Sequence, residues 1–76
     1  MIRELDTVVL TRDFPEDGLR KGDVGAVVNL YTDSEAFEVE FVTAERKTVA
    51  VLTLTEGDIR PMASGEILHA RVLASA

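Results

Sequence analysis

The sequence predicts an all-β fold, one small sheet curled on itself, and three observations carry that prediction. Short runs rich in β-branched and aromatic residues recur along the chain, each bounded by Gly, Pro or Asp. One of them, Ala36–Phe41, alternates cleanly, with Phe37, Val39 and Phe41 on one side and Glu38 and Glu40 on the other. Another, Lys21-Gly-Asp-Val-Gly-Ala-Val-Val-Asn-Leu-Tyr31, carries two glycines three apart near its start. Gly22 supplies the positive φ of a tight turn, and Gly25 makes room for a bulge or a close approach. A strand bent near its beginning is what a strongly curved sheet needs in order to close. That stretch is therefore read as the central strand.

Taken in order, Asp6–Arg12 is β-branched and partly alternating, and it reads as the first strand. Asp13–Gly18 is a loop punctuated by Pro15 and Gly18. Leu19, alone between Gly18 and Arg20, is expected to fold back onto the core. The glycine-bearing stretch is the second strand, Asp33–Glu35 a short turn, and Ala36 begins the third strand. There a one-residue slip would bury both glutamates, so the register is strongly specified. Ala44–Lys47 closes a hairpin to a fourth strand, Thr48–Leu54, which is apolar on both faces. Such a strand is either central or covered on both sides. Thr55–Asp58 is a turn, and Ile59–Met62 a short last strand in which Pro61, lacking an N–H, suits an edge.

Residues 1–62 thus form one expected domain, and 63–76 a linker and an amphipathic tail. Ala63-Ser-Gly65 is the linker. In Glu66–Leu73, the residues Ile67, Leu68 and Val72 fit one helical face, yet the segment suits a sixth strand equally. Either form would cover the outer face of the fourth strand, in its own chain or in a neighbour. Five short strands, joined by one longer first loop and then tight turns, point to an SH3-like barrel. An OB-type barrel would need a helix between its third and fourth strands. The connection from Val42 to Thr48 is too short for one.

Composition narrows the function. A chain of 76 residues has room for one domain and buries only roughly 60% of the surface its unfolded form exposes. Its 46% hydrophobic content is enough for one core and argues against disorder. Without cysteine there are no disulfides and no thiolate metal sites, which suits the cytosol. The opening Met-Ile-Arg-Glu-Leu-Asp carries acids where a signal peptide needs a basic and then an apolar stretch. No apolar run approaches the ~20 residues of a membrane span, so no membrane partner is expected. Eight basic residues stand against fourteen acidic ones, a net charge of −6. That field repels a phosphate backbone and argues against nucleic acid. It suits solubility, or an acidic face meant for a basic partner.

No motif points to catalysis. The one histidine, His69, lies in the tail, with no cysteine partner and no serine in a G-x-S-x-G context. Glu38 and Glu40 share a strand face, but a solvated one, which does not push two carboxyl pKa values apart. Asp17, Asp33, Glu35, Glu38, Glu40 and Asp58 offer oxygen ligands without the spacing of a calcium loop. Nucleotide-binding glycine loops are absent. The expectation is no enzyme, no cofactor and no metal.

Leu19-Arg-Lys-Gly22-Asp-Val-Gly25-Ala-Val27-Val-Asn-Leu resembles the turn and second strand of several SH3-like barrels, among them the KOW modules of ribosomal and transcription-elongation proteins and the small barrel subunits of photosystem I and nitrile hydratase. There the Gly-x-x-Gly-x-Val element is structural, and binding comes from the loops around it. A longer likeness runs through Glu4–Leu10, Gly18–Val28, Ala36–Phe41, Thr48–Val51 and Asp58–Pro61. These blocks, in this order, resemble a family of short bacterial proteins catalogued as domain of unknown function 4926. The resemblance implies a free-standing bacterial SH3-like protein with no established activity. It supplies no catalytic residue, and the tail after Met62 lies outside it.

Two functional expectations follow. The first is a protein-interaction module, the accessory or antitoxin-like partner of a neighbouring gene product, docking through Leu52, Leu54, Ile67, Leu68 and Val72. Self-association through the tail, swung about Ser64-Gly65, is a variant of it. The alternative is an RNA- or ribosome-associated module. In it Arg12, Arg20, Lys21, Arg46 and Lys47 would gather at one end of the barrel, with Phe14 or Tyr31 stacking on a base.

Overall fold

A computed structural model of the chain describes residues 2–31, 33 and 35–73. Ser34 of the expected Asp33–Glu35 turn, Met1 of the expected domain and residues 74–76 of the tail lie outside them. The fold is all-β, with five strands: β1 (Thr7–Leu10), β2 (Val24–Tyr31), β3 (Ala36–Val42), β4 (Thr48–Thr55) and β5 (Ile59–Pro61). They form one antiparallel sheet in the order β4-β3-β2-β1-β5. β2 is the middle strand, as its sequence suggests. Among the described residues the one helical element is a single 3-10 turn, Pro15–Asp17, in the first loop.

The expected barrel does not close. β4 and β5 are the two edges of the sheet, and no strand pairing joins them among the described residues. What joins them is a corner. Thr11 donates its N–H to the Asp58 carbonyl (2.9 Å) and its hydroxyl to the Gly57 carbonyl (2.7 Å). Arg12 reaches the Asp58 carboxylate at 2.9 Å. The turn after β4 is thereby tied to the end of β1 by polar contacts rather than by a ladder.

Alternation sets which side chains are enclosed. Val8, Leu10, Leu19, Val27, Val39, Phe41, Leu54 and Ile59 form the core, with Ile2 beside them. Leu19 folds back as expected and bridges to Phe14 across the first loop. Glu38 and Glu40 face outward, paired with Thr53 and Val51 of β4, and Glu40 accepts the Thr48 hydroxyl at 2.7 Å.

The two glycines of the opening motif act as expected, but in different ways. Gly22 has φ +96 and turns the chain into β2. Gly25 is a close-approach position. A Cβ there would lie 2.7 Å from Val39 Cγ1 and 2.8 Å from the Phe41 ring. The bulge falls later, between Val27 and Asn29, where it turns Leu30 to the core side.

Two expectations for β4 are corrected. It is an edge strand, paired only with β3, and it has a single apolar face. A register shift opposite Phe41 and Val42 displaces Val49, after which Ala50, Leu52 and Leu54 point inward. Thr48, Val51 and Thr53 remain on the other side, so only Val51 among them is a large exposed hydrophobe. The cover once required is not required. The tail is corrected as well: residues 66–73 adopt neither helix nor strand.

Candidate functional site

The first loop builds the feature that organises the site. Gly18, at φ +71, ends the 3-10 turn in a left-handed conformation that leaves its carbonyl outward. Five residues on, Asp23 closes a tight turn: its N–H donates to the Arg20 carbonyl (3.0 Å), and its carboxylate accepts the Arg20 N–H (2.9 Å). That second bond, from the backbone N–H three residues earlier, fixes the direction of the carboxylate. A carboxylate and a carbonyl are thus held side by side at the entry to β2.

Arg71 of the tail fills that cradle. Its Nε donates to Asp23 Oδ1 at 2.8 Å, its Nη2 to Asp23 Oδ2, and the same Nη2 to the Gly18 carbonyl at 3.1 Å. This is a two-point guanidinium–carboxylate contact with a third acceptor beside it. The pair is largely covered, with side-chain exposures of 20% for Arg71 and 16% for Asp23. The hydrogen bond from Arg71, followed by the Arg20 N–H, holds the Asp23 carboxyl below the usual carboxylate range despite its partial burial. A pair of this kind, screened by solvent on one side, is a weak attachment. That is enough to seat a tail and too little to lock it.

Beside the ion pair lies an open groove of about 660 Å³. Its floor and walls on the body are Leu19, Val24, Phe41, Val42 and Val49, and the tail contributes Leu68, Val72 and Leu73. Among the described residues, no backbone-to-backbone hydrogen bond holds 67–73. The tail is attached by side chains at two points, Arg71 and, upstream, Glu66.

The upstream point is stronger than its exposure suggests. Glu66 accepts both guanidinium nitrogens of Arg60 (2.7 and 2.6 Å) and the N–H of Ala63 (2.7 Å). Arg60 first, and then the Ala63 N–H, lower its carboxyl from 4.5 to about 2. Because the folded value is depressed, this anchor is complete above pH 4.5 and is lost as pH falls toward 2. A carboxyl-resolved NMR titration should place Glu66 near the lower value, and Arg60→Ala should return it toward 4.5. A wild-type midpoint already at the ordinary value would refute the anchor.

The residues singled out from sequence scatter over this frame. Leu54 is a core residue, 2% exposed, and is withdrawn from any docking surface. Leu52 is partly buried against the core, because the β4 register turns both leucines inward. Ile67, Leu68 and Val72 are exposed, Ile67 at 88% and Val72 at 89%. The tail lies along the first loop and Val49, not over the outer face of β4. Of the basic residues, Arg12 is bound to Asp58 and stacked 4.1 Å above the Phe14 ring. Arg20 and Lys21 lie in the first loop, with their N–H groups on Asp23 and Asp13. Arg46 and Lys47 lie in the β3–β4 turn. His69 lines the groove, and no hydrogen bond ties it to an acid among the described residues. No three of His, Asp and Glu converge there as a metal site requires, again among the described residues.

Sequence reasoning passed over Asp23 and Arg71. The available signal was a lone arginine between apolar residues in an acidic chain, opposite an aspartate bracketed by Gly22 and Gly25.

What these features define is a small acidic all-β protein whose C-terminal segment is pinned by side chains to its own first loop. The chain belongs to the family described as Domain of unknown function (DUF4926), which it matches over residues 4–61. No curated protein and no solved structure matches it. The matched region contains Gly18 and Asp23 and ends before Glu66 and Arg71, so the cradle falls inside the family region and its occupant outside. No helix among the described residues is long and apolar enough to cross a membrane.

Proposed function

We propose that this chain is a non-enzymatic protein-interaction module, the cytoplasmic bacterial accessory of another protein. The observation that carries this reading is the tail: Ile67, Leu68 and Val72 present their side chains to solvent on a segment without backbone pairing. Water-exposed aliphatic residues clustered beside an apolar groove are a docking surface in search of cover. The unpaired edges of β4 and β5 add main-chain donors and acceptors of the kind that strand addition uses. The acidic surface gives long-range attraction to a basic companion. Against the RNA alternative stand the pairing of Arg12 with Asp58 and the Asp23 and Asp13 carboxylates bound at the backbone of Arg20 and Lys21.

Full-length chain tagged at its N-terminus and isolated at native levels should carry one companion in fixed stoichiometry. Leu68→Asp together with Val72→Asp should lose that companion while leaving the circular dichroism unchanged, since neither side chain belongs to the core. Repeated recovery of the chain alone would end the proposal.

A further inference from the structure

We infer that the cradle formed by Asp23 and the Gly18 carbonyl, with the apolar groove beside it, is a docking site for an arginine-bearing, aliphatic-flanked segment of a basic partner protein, and that Arg71 of the tail is its resident competitor. This rests on the interaction-module reading and adds the partner's chemistry to it.

The geometry of the cradle is selective for a guanidinium. Two carboxylate oxygens and one carbonyl oxygen accept three N–H bonds from a single planar group, Nε and Nη2 of Arg71. An ammonium is a point donor and cannot match that fork. The acceptors are set before any ligand arrives. Gly18 is held by its left-handed turn, and the Asp23 carboxylate by the Arg20 N–H. Immediately beside them, Leu19, Val24, Phe41 and Val49 provide apolar wall for residues flanking an incoming arginine, and the tail leaves that wall open, with Leu68 and Val72 largely exposed at its rim.

Charge complementarity selects the occupant. The chain carries −6, so a second copy would bring like charge to the interface, whereas a basic partner is drawn to it. The tail occupies the site through one ion pair and no backbone bonds, which makes it displaceable. Glu66, bound to Arg60, keeps the displaced tail close to the body. The tail then acts as a cover that a tighter segment lifts, while Ile67, Leu68 and Val72, exposed whether or not Arg71 is seated, meet the same partner.

The test uses full-length chains and a synthetic capped peptide of residues 66–73, Glu-Ile-Leu-His-Ala-Arg-Val-Leu, followed by fluorescence anisotropy. In the Arg71→Glu chain the tail is repelled by Asp23 and the cradle is vacant. A tail docked about nine-tenths of the time in wild type weakens apparent affinity about tenfold, so Arg71→Glu should bind the peptide about that much tighter than wild type. Arg71→Ala, which removes the cation without adding an acid, should do the same. A peptide with Gln or Lys in place of its arginine should lose most of the binding, and so should a chain carrying Asp23→Asn with Arg71→Glu. Equal binding of the Arg and Gln peptides overturns the inference, as does no binding to either vacated chain. Mixing Asp23→Arg and Arg71→Asp chains restores the ion pair only between copies. A stable heterodimer from that mixture, with a dimeric wild type, overturns it in favour of tail exchange. Failure of the peptide arm with the Leu68- and Val72-dependent companion retained removes the arginine site alone. Recovery of the wild-type chain without a companion, with peptide binding intact, removes the module reading instead.

Discussion

Replacing Phe41 by alanine is expected to lower the stability of the folded chain by about 3–5 kcal/mol, the usual cost of deleting a buried phenyl ring. Phe41 is 2% exposed and belongs, with Val27, Val39 and Leu54, to the core. A chain of this length is expected to hold only about 4–11 kcal/mol in total, so the substitution removes a large part of the margin. Urea unfolding followed by circular dichroism measures it. The ring also has a second function in the fold. It lies against the bare backbone of Gly25 and forms a wall of the tail groove. Its loss should therefore loosen the groove as well as the core. Phe41→Leu, which keeps most of the volume, should cost far less. A loss below about 1 kcal/mol for alanine would mean that the ring is not packed as described.

Gly25→Ala carries the second large effect, and here the sign is the test. In the interior of a strand, alanine is ordinarily better than glycine by about 0.5–1 kcal/mol, because it orders the unfolded chain less expensively. At Gly25 that gain is overridden. The added methyl would stand 2.7 Å from Val39 Cγ1 and within 2.9 Å of two Phe41 ring carbons. Both neighbours are enclosed, Val39 completely, so neither can swing aside. Overpacking of this kind costs about 1–3 kcal/mol, a fall in melting temperature of roughly 4–8 °C for each kcal/mol in a domain of this size. Gly57→Ala is the control. Its φ is not in the left-handed region, and its nearest neighbour is 4.0 Å away. It should be neutral or slightly stabilising, and a similar loss at both positions would refute the steric account.

These two residues show why part of the fold was legible in the chain. The Phe37–Phe41 alternation can be satisfied by one register only, because the other buries two carboxylates. Gly22 and Gly25 were legible for a different reason. Each occupies a place that a side chain cannot, one by backbone angle and one by lack of space. β4 was less legible. Its apolar residues run nearly unbroken from Val49 to Leu54, and a period-two pattern cannot show where a bulge shifts the face. The inference of cover on both sides failed on that one displaced residue.

The sequence by itself determined the strand content, the turns and the inward face of β3, because these depend on alternation, β-branching and glycine at a spacing of a few residues. It also showed that the chain is acidic and without cysteine. Only the tertiary structure decided that the sheet stays open, that the tail takes neither regular form, and that Arg71 meets Asp23 across 48 residues. Strand closure depends on whether two distant edges come within hydrogen-bond reach, and an ion pair on where two loops arrive in space. Neither leaves a periodic trace along the chain.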